Sequence, residues 1–208
     1  MYISSTVLQA KPGRGADVGA AAVKLGSLAS KAGSSGVATW RFLTGSPYGS
    51  FLISGRSDTL AALVDSGGKI ASDPEFAALS AQLGDALLVP AEPFINRVVT
   101  ASPSYAPKPF MSLTLAVATG GKMGAAMELI MEVMAFIEKV AGVGMAVTTP
   151  LGGAVNQIGT ILSTDDAASY EAAVAKLLGD PGWMVLMDKV GELVEPGTSK
   201  RAYLVQIA

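Results

Sequence analysis

The sequence predicts an α+β protein built from two tandem copies of a β-α-β-β-α-β unit, and two observations carry this prediction. First, an Asp-Pro phrase opens one apolar-periodic stretch at Asp73-Pro74 and a second one at Asp180-Pro181. Each stretch then places apolar residues at i, i+3, i+7 and i+11, which is the spacing of one buried helix face. Second, the order of strand-like and helix-like segments before the first phrase recurs before the second.

The first half of the chain has the element order of a ferredoxin-like unit. Strands are predicted where apolar and polar residues alternate, at residues 2–11, 37–43, 48–55 and 92–100. Helices are predicted where apolar residues recur with helical spacing, at residues 16–32, 58–67 and 73–88. Clusters of glycine, proline and serine separate these segments and predict the turns.

The second half repeats the first. Residues 110–114 (Phe-Met-Ser-Leu-Thr) match residues 2–6 (Tyr-Ile-Ser-Ser-Thr) at an offset of 108 (110 − 2), whereas the Asp-Pro phrases are 107 apart (180 − 73). One residue has therefore been lost in between, most simply in the hairpin near Gly152-Gly153. We predict a first repeat at residues 1–100, a Pro-rich linker at 101–109 and a second repeat at 110–208.

Composition limits the chemistry that the chain can perform. Half of the 208 residues are hydrophobic and 15% are charged, so a large core is expected. The net charge of −2, without a basic cluster, argues against nucleic acid as a partner. The sequence has no cysteine and no histidine, which excludes disulfides, thiol nucleophiles, Ser-His-Asp triads and histidine-bound metal or haem. We therefore expect no cofactor and no metal site.

The cell compartment is predicted from the absence of targeting and membrane signals. The N-terminus alternates like a strand and lacks the basic and apolar regions of a signal peptide. The longest apolar region, residues 123–147, is interrupted by Glu128, Glu132, Glu138 and Lys139, which a membrane span would carry only at high cost. We expect a soluble cytoplasmic protein with no membrane partner.

Two repeats of this kind can bury the helix-free faces of their sheets against each other. This arrangement resembles the dimeric α-β barrel superfamily in a form with both repeats in one chain. The Asp-Pro-x-aromatic start of the last helix, at Asp180, Pro181 and Trp183, is similar to the antibiotic-biosynthesis-monooxygenase-like and NIPSNAP-like families. The resemblance implies a dimeric-α-β-barrel-type arrangement, with a flat apolar ligand between helices and sheet.

The residues that differ between the repeats are the first candidates for a site. Trp40 lies on a predicted strand and has Thr148 as its repeat counterpart, while Trp183 has Phe76. Core packing is the alternative for both tryptophans. The resembled cofactor-free monooxygenases use Asn, Trp and Arg side chains around a phenolic substrate that itself reduces O₂. The ligand-binding candidates are Trp40, Arg41, Asn96, Arg97, Met127, Met131, Asn156 and Trp183.

The helix predicted at residues 123–141 is unusually apolar. It carries four methionines and a narrow polar stripe, so it should be buried on more than one side. A ligand pocket or contact with another copy of the chain would bury it. Three functions stay open: binding of a small apolar or aromatic molecule, with or without its conversion; cofactor-independent oxygenation of a phenolic substrate; and a non-catalytic scaffold that forms homo-oligomers through this helix.

Overall fold

The structure is a computed structural model that describes residues 1–153 and 155–208. In chain order, these residues form β1 (Tyr2–Gln9), α1 (Gly15–Lys31), β2 (Ser35–Thr44), β3 (Ser50–Ser57), α2 (Leu60–Ala71), α3 (Pro74–Ala86), β4 (Glu92–Ala101), β5 (Phe110–Val117), α4 (Met123–Ala141), β6 (Met145–Pro150), β7 (Gln157–Thr164), α5 (Ala167–Gly179), α6 (Pro181–Leu193) and β8 (Lys200–Gln206). The same order of strands and helices therefore occurs twice along the chain, as the sequence predicts.

The chain divides into two compact units. The first unit comprises Met1–Arg97 together with Leu204–Ala208, and the second comprises Val98–Tyr203. The end of the chain is held in the first unit by backbone hydrogen bonds, because the Thr39 amide donates to the Ala208 carbonyl at 2.8 Å. Each repeat thus gives the end of its last strand to the unit formed mainly by the other repeat.

Each unit has an antiparallel sheet with the ferredoxin-like strand order. In the first, β1 lies between β4 and β3, and β2 follows β3; in the second, β5 lies between β8 and β7, and β6 follows β7. The central pairs run in regular register, from Tyr2 opposite Ser57 to Gln9 opposite Ser50, and from Phe110 opposite Thr164 to Val117 opposite Gln157. The predicted fold class, α+β with tandem ferredoxin-like repeats, is confirmed.

The β-hairpin of the second repeat contains the predicted deletion. Trp40 lies opposite Leu52, a separation of 12 residues (52 − 40). The matching pair in the second repeat, Thr148 opposite Gly159, is separated by 11 (159 − 148). The change of offset from 108 to 107 therefore arises in this hairpin, as the sequence indicates.

The two Asp-Pro phrases are helix starts. Asp73 precedes α3 and its Oδ1 accepts a hydrogen bond from the Glu75 amide at 2.8 Å. Asp180 precedes α6 and accepts from the Gly182 amide at 2.9 Å. In both helices the proline stands in the first turn, where a missing N–H leaves no bond unmade. The predicted N-caps are confirmed.

The predicted end of α2 at Gly67 is wrong, since the helix continues to Ala71. Glycine often ends helices by adopting a positive φ, but neither Gly67 nor Gly68 has a positive φ. By contrast, Gly13 and Gly121 adopt φ of 79° and 76° in the turns that precede α1 and α4. These turns need glycine because other residues rarely adopt that conformation.

In the first unit, α1 lies close against β2 and β3. A Cβ at Gly19 would meet the Phe51 ring at 3.0 Å, and a Cβ at Gly26 would meet Thr39 Oγ1 at 2.9 Å. Because Thr39, Phe51 and Ile53 face α1, the residues between them on each strand face away from it. This alternation decides where Trp40 lies.

The segment predicted as a linker is attached to the second unit. Ser102 and Met145 exchange two hydrogen bonds, one from the Ser102 amide to the Met145 carbonyl and one from the Met145 amide to Ser102 Oγ, both 2.9 Å. Ser163 Oγ donates to the Ala106 carbonyl at 2.8 Å. Residues 101–109 are therefore an ordered part of this unit.

The apolar helix α4 is covered inside its own unit. It packs against β6, α5 and α6, and its buried residues are Ala126, Leu129, Val133, Ile137 and Ala141. Contact with three elements explains its high apolar content without a second chain, and homo-oligomer formation stays a prediction. In the described part of the chain, no helix has the length and apolar character needed to cross a membrane.

Candidate functional site

A cavity of about 580 Å³ lies in the second unit between its sheet and helices α4, α5 and α6. Most of its wall is apolar. The apolar lining includes Ala116, Ala118, Ala126, Leu129, Ile130, Val133, Ile137, Ile158, Leu162, Ala173, Val174, Leu177, Trp183, Met187, Val190 and Leu193. The size and lining are typical of a site for a small organic molecule.

Small side chains on β5 form part of the wall of this cavity. Alternation along the strand turns Ser112, Thr114, Ala116 and Ala118 towards the helices. Ala116 stands where the first repeat has Leu8, at the offset of 108 (116 − 8), and Leu8 is fully buried in the core of the first unit. The sheet side of the cavity also contains three hydroxyl groups, from Ser112, Thr114 and Thr160.

Arg201 is the basic residue of the cavity lining. It lies on β8, next to β5 in the sheet, and its Nε donates to Thr114 Oγ1 at 3.2 Å. The ion pairs of residues 1–153 and 155–208 join Arg14 to Asp17 and Lys108 to Asp165, so no described carboxylate pairs with Arg201. A cation therefore stands at one end of a mostly apolar cavity, with hydroxyl groups beside it.

Two tyrosines lie next to this cation. Tyr170, on α5, lines the cavity, and its Oη donates to the Oη of Tyr203 on β8 at 3.3 Å. Their ring centroids are 5.3 Å apart in an edge-to-face arrangement, and both rings contact Phe110, at 5.5 Å and 6.2 Å. Packing of the three rings fixes the orientation of the two hydroxyl groups.

The environment shifts the pKa values of these tyrosines in opposite directions. Burial raises the pKa of Tyr170, and the hydrogen bond to Tyr203 acts in the same direction. The hydrogen bond from Tyr170 lowers the pKa of Tyr203, and the nearby Arg201 guanidinium lowers it further. Donors around an oxygen favour its ionised form. Tyr203 is therefore the more acidic of the two, and Tyr170 is the protonated donor that faces the cavity.

The turn between α6 and β8 forms one rim of the cavity. Glu195, Pro196, Gly197 and Ser199 line it. Thr198 stabilises the turn: its Oγ1 donates to the Glu195 carbonyl at 2.7 Å and accepts from the Val117 amide at 3.2 Å.

This turn is one residue longer than its counterpart in the first repeat. Ala118 bridges to Val194 as Ala10 bridges to Leu87, an offset of 107 (194 − 87). Arg201, which bonds to Thr114, corresponds to Pro93, which pairs with Thr6, at 108 (201 − 93). The second repeat has therefore gained one residue just before Arg201, at the rim of the cavity.

The first unit has its own cavity, of about 830 Å³, between its sheet and helices. Its lining lacks the arginine and the cavity-facing tyrosine of the second unit, because Pro93 and Leu63 stand at the positions of Arg201 and Tyr170. Phe76 stands at the position of Trp183. Its basic lining residue is Lys11, whose Nζ donates to the Asp85 carbonyl at 2.9 Å. The arginine and the tyrosine pair thus belong to the second unit, whereas Ser4 and Thr6 give the first cavity hydroxyl groups at the positions of Ser112 and Thr114.

One of the eight residues predicted from the sequence lines a cavity. Trp183 is part of the wall in the second unit, and its ring stacks on Phe136 with centroids 6.2 Å apart and an interplanar angle of 27°. Arg41, Asn96, Arg97, Met127, Met131 and Asn156 do not line either of the two cavities. They stay untested as ligand-binding residues.

Trp40 lies away from the first-unit cavity because of strand alternation. Its neighbour Thr39 faces α1, so Trp40 faces the other side of the sheet, where it is buried and its Nε1 donates to Ser54 Oγ at 2.9 Å. Arg41 follows on the exposed part of β2. The indole nitrogen therefore already has a partner in the protein.

The remaining candidates are placed by their elements. Asn96 lies opposite Ile3 and Arg97 opposite Tyr2, at one end of the first sheet. Met127 packs against the core of the second unit, whereas Met131 is 47% exposed. The Asn156 carbonyl accepts from the Ala118 amide at 2.8 Å. None of these positions brings the residues together into one site.

Sequence reasoning missed Ser112, Thr114, Tyr170, Arg201 and Tyr203. The difference between the repeats points to two of them, since Arg201 replaces Pro93 and Tyr170 replaces Leu63, whereas Ser112 and Thr114 match Ser4 and Thr6 and give no such signal. Reading that difference requires the correct offset in the last strand, and the extra residue before Arg201 hides it. In the part of the chain that the structure describes, no cluster of acidic side chains could hold a metal ion.

No family model and no curated protein matches the sequence of this chain. Solved structures match its fold. A protein from Fusobacterium nucleatum, provisionally named a monooxygenase, superposes with a TM-score of 0.74 at 11% identity, over 100% of this chain and 92% of the other. One from Lactobacillus acidophilus with the same provisional name gives 0.70 at 10% identity, over 99% and 93%.

An anthrone oxidase-like protein gives a TM-score of 0.65 at 14% identity, over 98% of this chain and 91% of the other. The chain shares the fold of these three structures. The resemblance inferred from the Asp-Pro phrases and the repeat is therefore confirmed at the level of fold, with both repeats in one chain. At these identities the match describes the fold alone, and the site must be argued from its own residues.

Proposed function

We propose that the second unit binds a small, largely apolar or aromatic molecule in the cavity between its sheet and α4, α5 and α6. The observation that supports this most directly is the lining itself. About 580 Å³ of space is enclosed by aliphatic and aromatic side chains, with a few polar groups gathered at the Arg201 end. Transfer of an apolar surface into such a cavity is favourable by roughly 25 cal/mol per Å², and the polar groups then orient the ligand.

Trp183 supports an aromatic ligand. Its ring lines the cavity and is held by stacking on Phe136. An aromatic pair contributes about 0.5–1.5 kcal/mol beyond its buried area, so the indole is kept in one orientation. A fixed flat surface favours flat ligands, because they can stack on it without ordering another side chain.

Two measurements test this proposal. Native mass spectrometry of freshly isolated protein is expected to show a retained ligand as a mass added to the chain, and it reports the oligomeric state at the same time. Calorimetric titration with flat aromatic probes such as 2-naphthamide is expected to show one saturable site that a cavity-filling variant loses. If no mass is retained and no probe of the panel binds, the proposal is wrong.

The polar end of the cavity supports a second candidate function, oxidation of a phenolic or anthrone-type substrate by O₂ without a cofactor. Such a substrate becomes an anion before it reacts with O₂, and a guanidinium beside hydroxyl donors stabilises an oxyanion. Arg201 and the Tyr170 hydroxyl group provide donors of this kind. The names of the similar structures, monooxygenase and anthrone oxidase-like protein, add support.

The reaction would consume one O₂ for each anthrone and give one anthraquinone and one water. An oxygen electrode with a panel of anthrones and hydroquinones measures the uptake, and the rate is compared with that of the heat-denatured protein. The Arg201→Met variant is expected to lose the excess rate. Uptake no faster than the denatured control across the panel would rule out the conversion and leave the binding proposal in place.

A further inference from the structure

We propose that the cavity of the second unit selects ligands that carry a single carboxylate group, and that Arg201 binds this group. The inference rests on the proposed function, because it concerns the ligand of the same cavity. It adds the charge and the geometry of the group that the polar end recognises.

The first step of the argument is the unpaired charge. A guanidinium stays protonated at all ordinary pH values. Arg201 lines an otherwise mainly apolar cavity, and no ion pair among the described residues includes it. Its side chain is exposed to solvent. An exposed guanidinium is hydrated, and an anionic ligand group can take the place of that water.

The second step is the geometry of the donors. The Nε–H of Arg201 is used by Thr114 Oγ1 at 3.2 Å. This bond takes one N–H donor of the guanidinium, and the Tyr203 hydroxyl accepts from the same side chain. The two terminal nitrogens still have N–H groups that can bind a ligand. Their parallel N–H groups match the two oxygens of a carboxylate, and such two-point pairs are among the strongest hydrogen bonds in proteins. An uncharged carbonyl or amide would use only part of this set.

The third step limits the ligand to one negative group. Glu195 lies at the rim of the same cavity and is not ion-paired to any described residue. A second anionic group on the ligand would be repelled by this carboxylate unless it reached open solvent. The remaining wall is apolar, so the body of the ligand is expected to be uncharged.

The comparison between the repeats shows that the fold does not need this arginine. The first unit has Pro93 at the position of Arg201, and its sheet keeps the same strand order. Arg201 is therefore not required to close the sheet or to support the helices above it. Its charge is a property of the second cavity.

The experiment compares 2-naphthoate with 2-naphthamide, which have nearly the same shape but differ in charge. Isothermal titration calorimetry of the full chain at neutral pH is expected to show that the carboxylate binds at least about tenfold more tightly, since charge-assisted hydrogen bonds exceed neutral ones by this order. Arg201→Met should abolish the preference, and Arg201→Lys should keep part of it. Lys200→Met, which alters the neighbouring exposed cation on β8 outside both cavity linings, should leave it unchanged.

The outcomes separate the two proposals. If neither probe binds, or if filling the cavity with Ile130→Trp does not weaken binding, the proposed function itself is wrong. If both probes bind the wild-type protein with equal affinity, or if Arg201→Met keeps the preference for the carboxylate, the inference is wrong and the binding function stands. Thermal unfolding of each arginine variant checks that it is folded, and Arg201→Lys provides the same test should Arg201→Met fail to fold.

Discussion

The hydroxyl group of Tyr170 donates a hydrogen bond to the hydroxyl oxygen of Tyr203 across 3.3 Å, and this bond makes two adjacent tyrosines chemically unequal. The donor is the more buried member and has a raised pKa. The acceptor has a lowered pKa, because its phenolate would be stabilised by Tyr170 and by Arg201. The hydrogen bond thus joins Tyr170, which lines the cavity, to Tyr203, which lies beside Arg201.

A tyrosine titration tests this inequality. In the wild-type protein, Tyr203 is expected to ionise at lower pH than Tyr170, and Tyr170→Phe should raise the pKa of Tyr203 by removing the main donor. The ¹³Cζ chemical shifts of the five tyrosines report each ionisation separately. A Tyr203 pKa that does not change in Tyr170→Phe would contradict the hydrogen bond.

Filling the cavity is expected to block ligand binding without unfolding the protein. Ile130 lines the cavity, so Ile130→Trp should weaken the binding of an aromatic probe by about tenfold or more, a loss of 1.4 kcal/mol or greater. Met131 is the next residue on α4 but is 47% exposed and outside the lining. Met131→Trp is therefore the matched control, and calorimetry should find its affinity unchanged. Equal losses in both variants would indicate a general effect on α4.

Trp183 is expected to contribute to stability as well as to the cavity wall. Trp183→Ala removes the stacking on Phe136 and part of the apolar core, so it should lower the free energy of unfolding by roughly 2–4 kcal/mol. Trp183→Phe keeps an aromatic ring at this position and should cost less than about 1.5 kcal/mol. Urea unfolding measures both. A similar cost for the two variants would show that the ring contact contributes little.

The two helix caps are expected to contribute equally, because their geometry is the same in both repeats. Asp73→Ala and Asp180→Ala each remove a side-chain acceptor for an amide of the first helical turn, at 2.8 Å and 2.9 Å. Each should cost about 1 kcal/mol, within a range of 0.5–2. The corresponding asparagine variants retain an acceptor and should recover most of the loss in urea unfolding; failure to do so would argue against capping.

Asp166 makes the stability of α5 depend on pH. Its Oδ1 accepts from the Ser169 amide at 2.7 Å, and this backbone hydrogen bond is the main cause of its lowered pKa. Because the pKa in the folded state lies below that in the unfolded state, the stabilisation is present at pH above the unfolded value. It is lost as the pH falls through the folded value.

Asp166→Ala should therefore destabilise the protein near neutral pH and have a smaller effect in acid, below the pKa of the aspartate. Unfolding by urea at several pH values measures the difference from the wild-type protein. An effect that stays constant down to the acid end would show that the carboxylate charge is not involved. Asp166→Asn, which keeps an acceptor without the charge, separates the hydrogen bond from its pH dependence.

The position of Trp40 shows what the sequence pattern of β2 leaves open, namely which face of the sheet each side chain occupies. Thr39 and Trp40 are both buried, with 2% and 4% exposure. Both faces of β2 are therefore covered here, and exposure does not alternate along the strand as it would if one face met solvent. The phase of the alternation cannot then be read from the strand. The contact between Gly26 of α1 and Thr39 shows which residues of β2 face the helix, and this contact forms only when α1 packs on the sheet.

Local rules predict the helix starts and the order of helices and strands along the chain, because each depends on residues that are close in the chain. An N-cap joins Asp180 to an amide two residues away, and the alternation of a strand needs only its own residues. The deletion in the second hairpin was also visible in the sequence, since it shifts the matches from that hairpin up to Val194 by one residue.

Only the tertiary structure decides which repeat holds the polar cavity. Arg201 meets Thr114 across 87 residues of sequence, and Tyr170 meets Tyr203 across 33. Such contacts depend on which strand lies beside β5 and which helix covers it. Several segments that are distant in the chain contribute to the volume and the charge of the cavity, so the pattern of any one segment does not predict them.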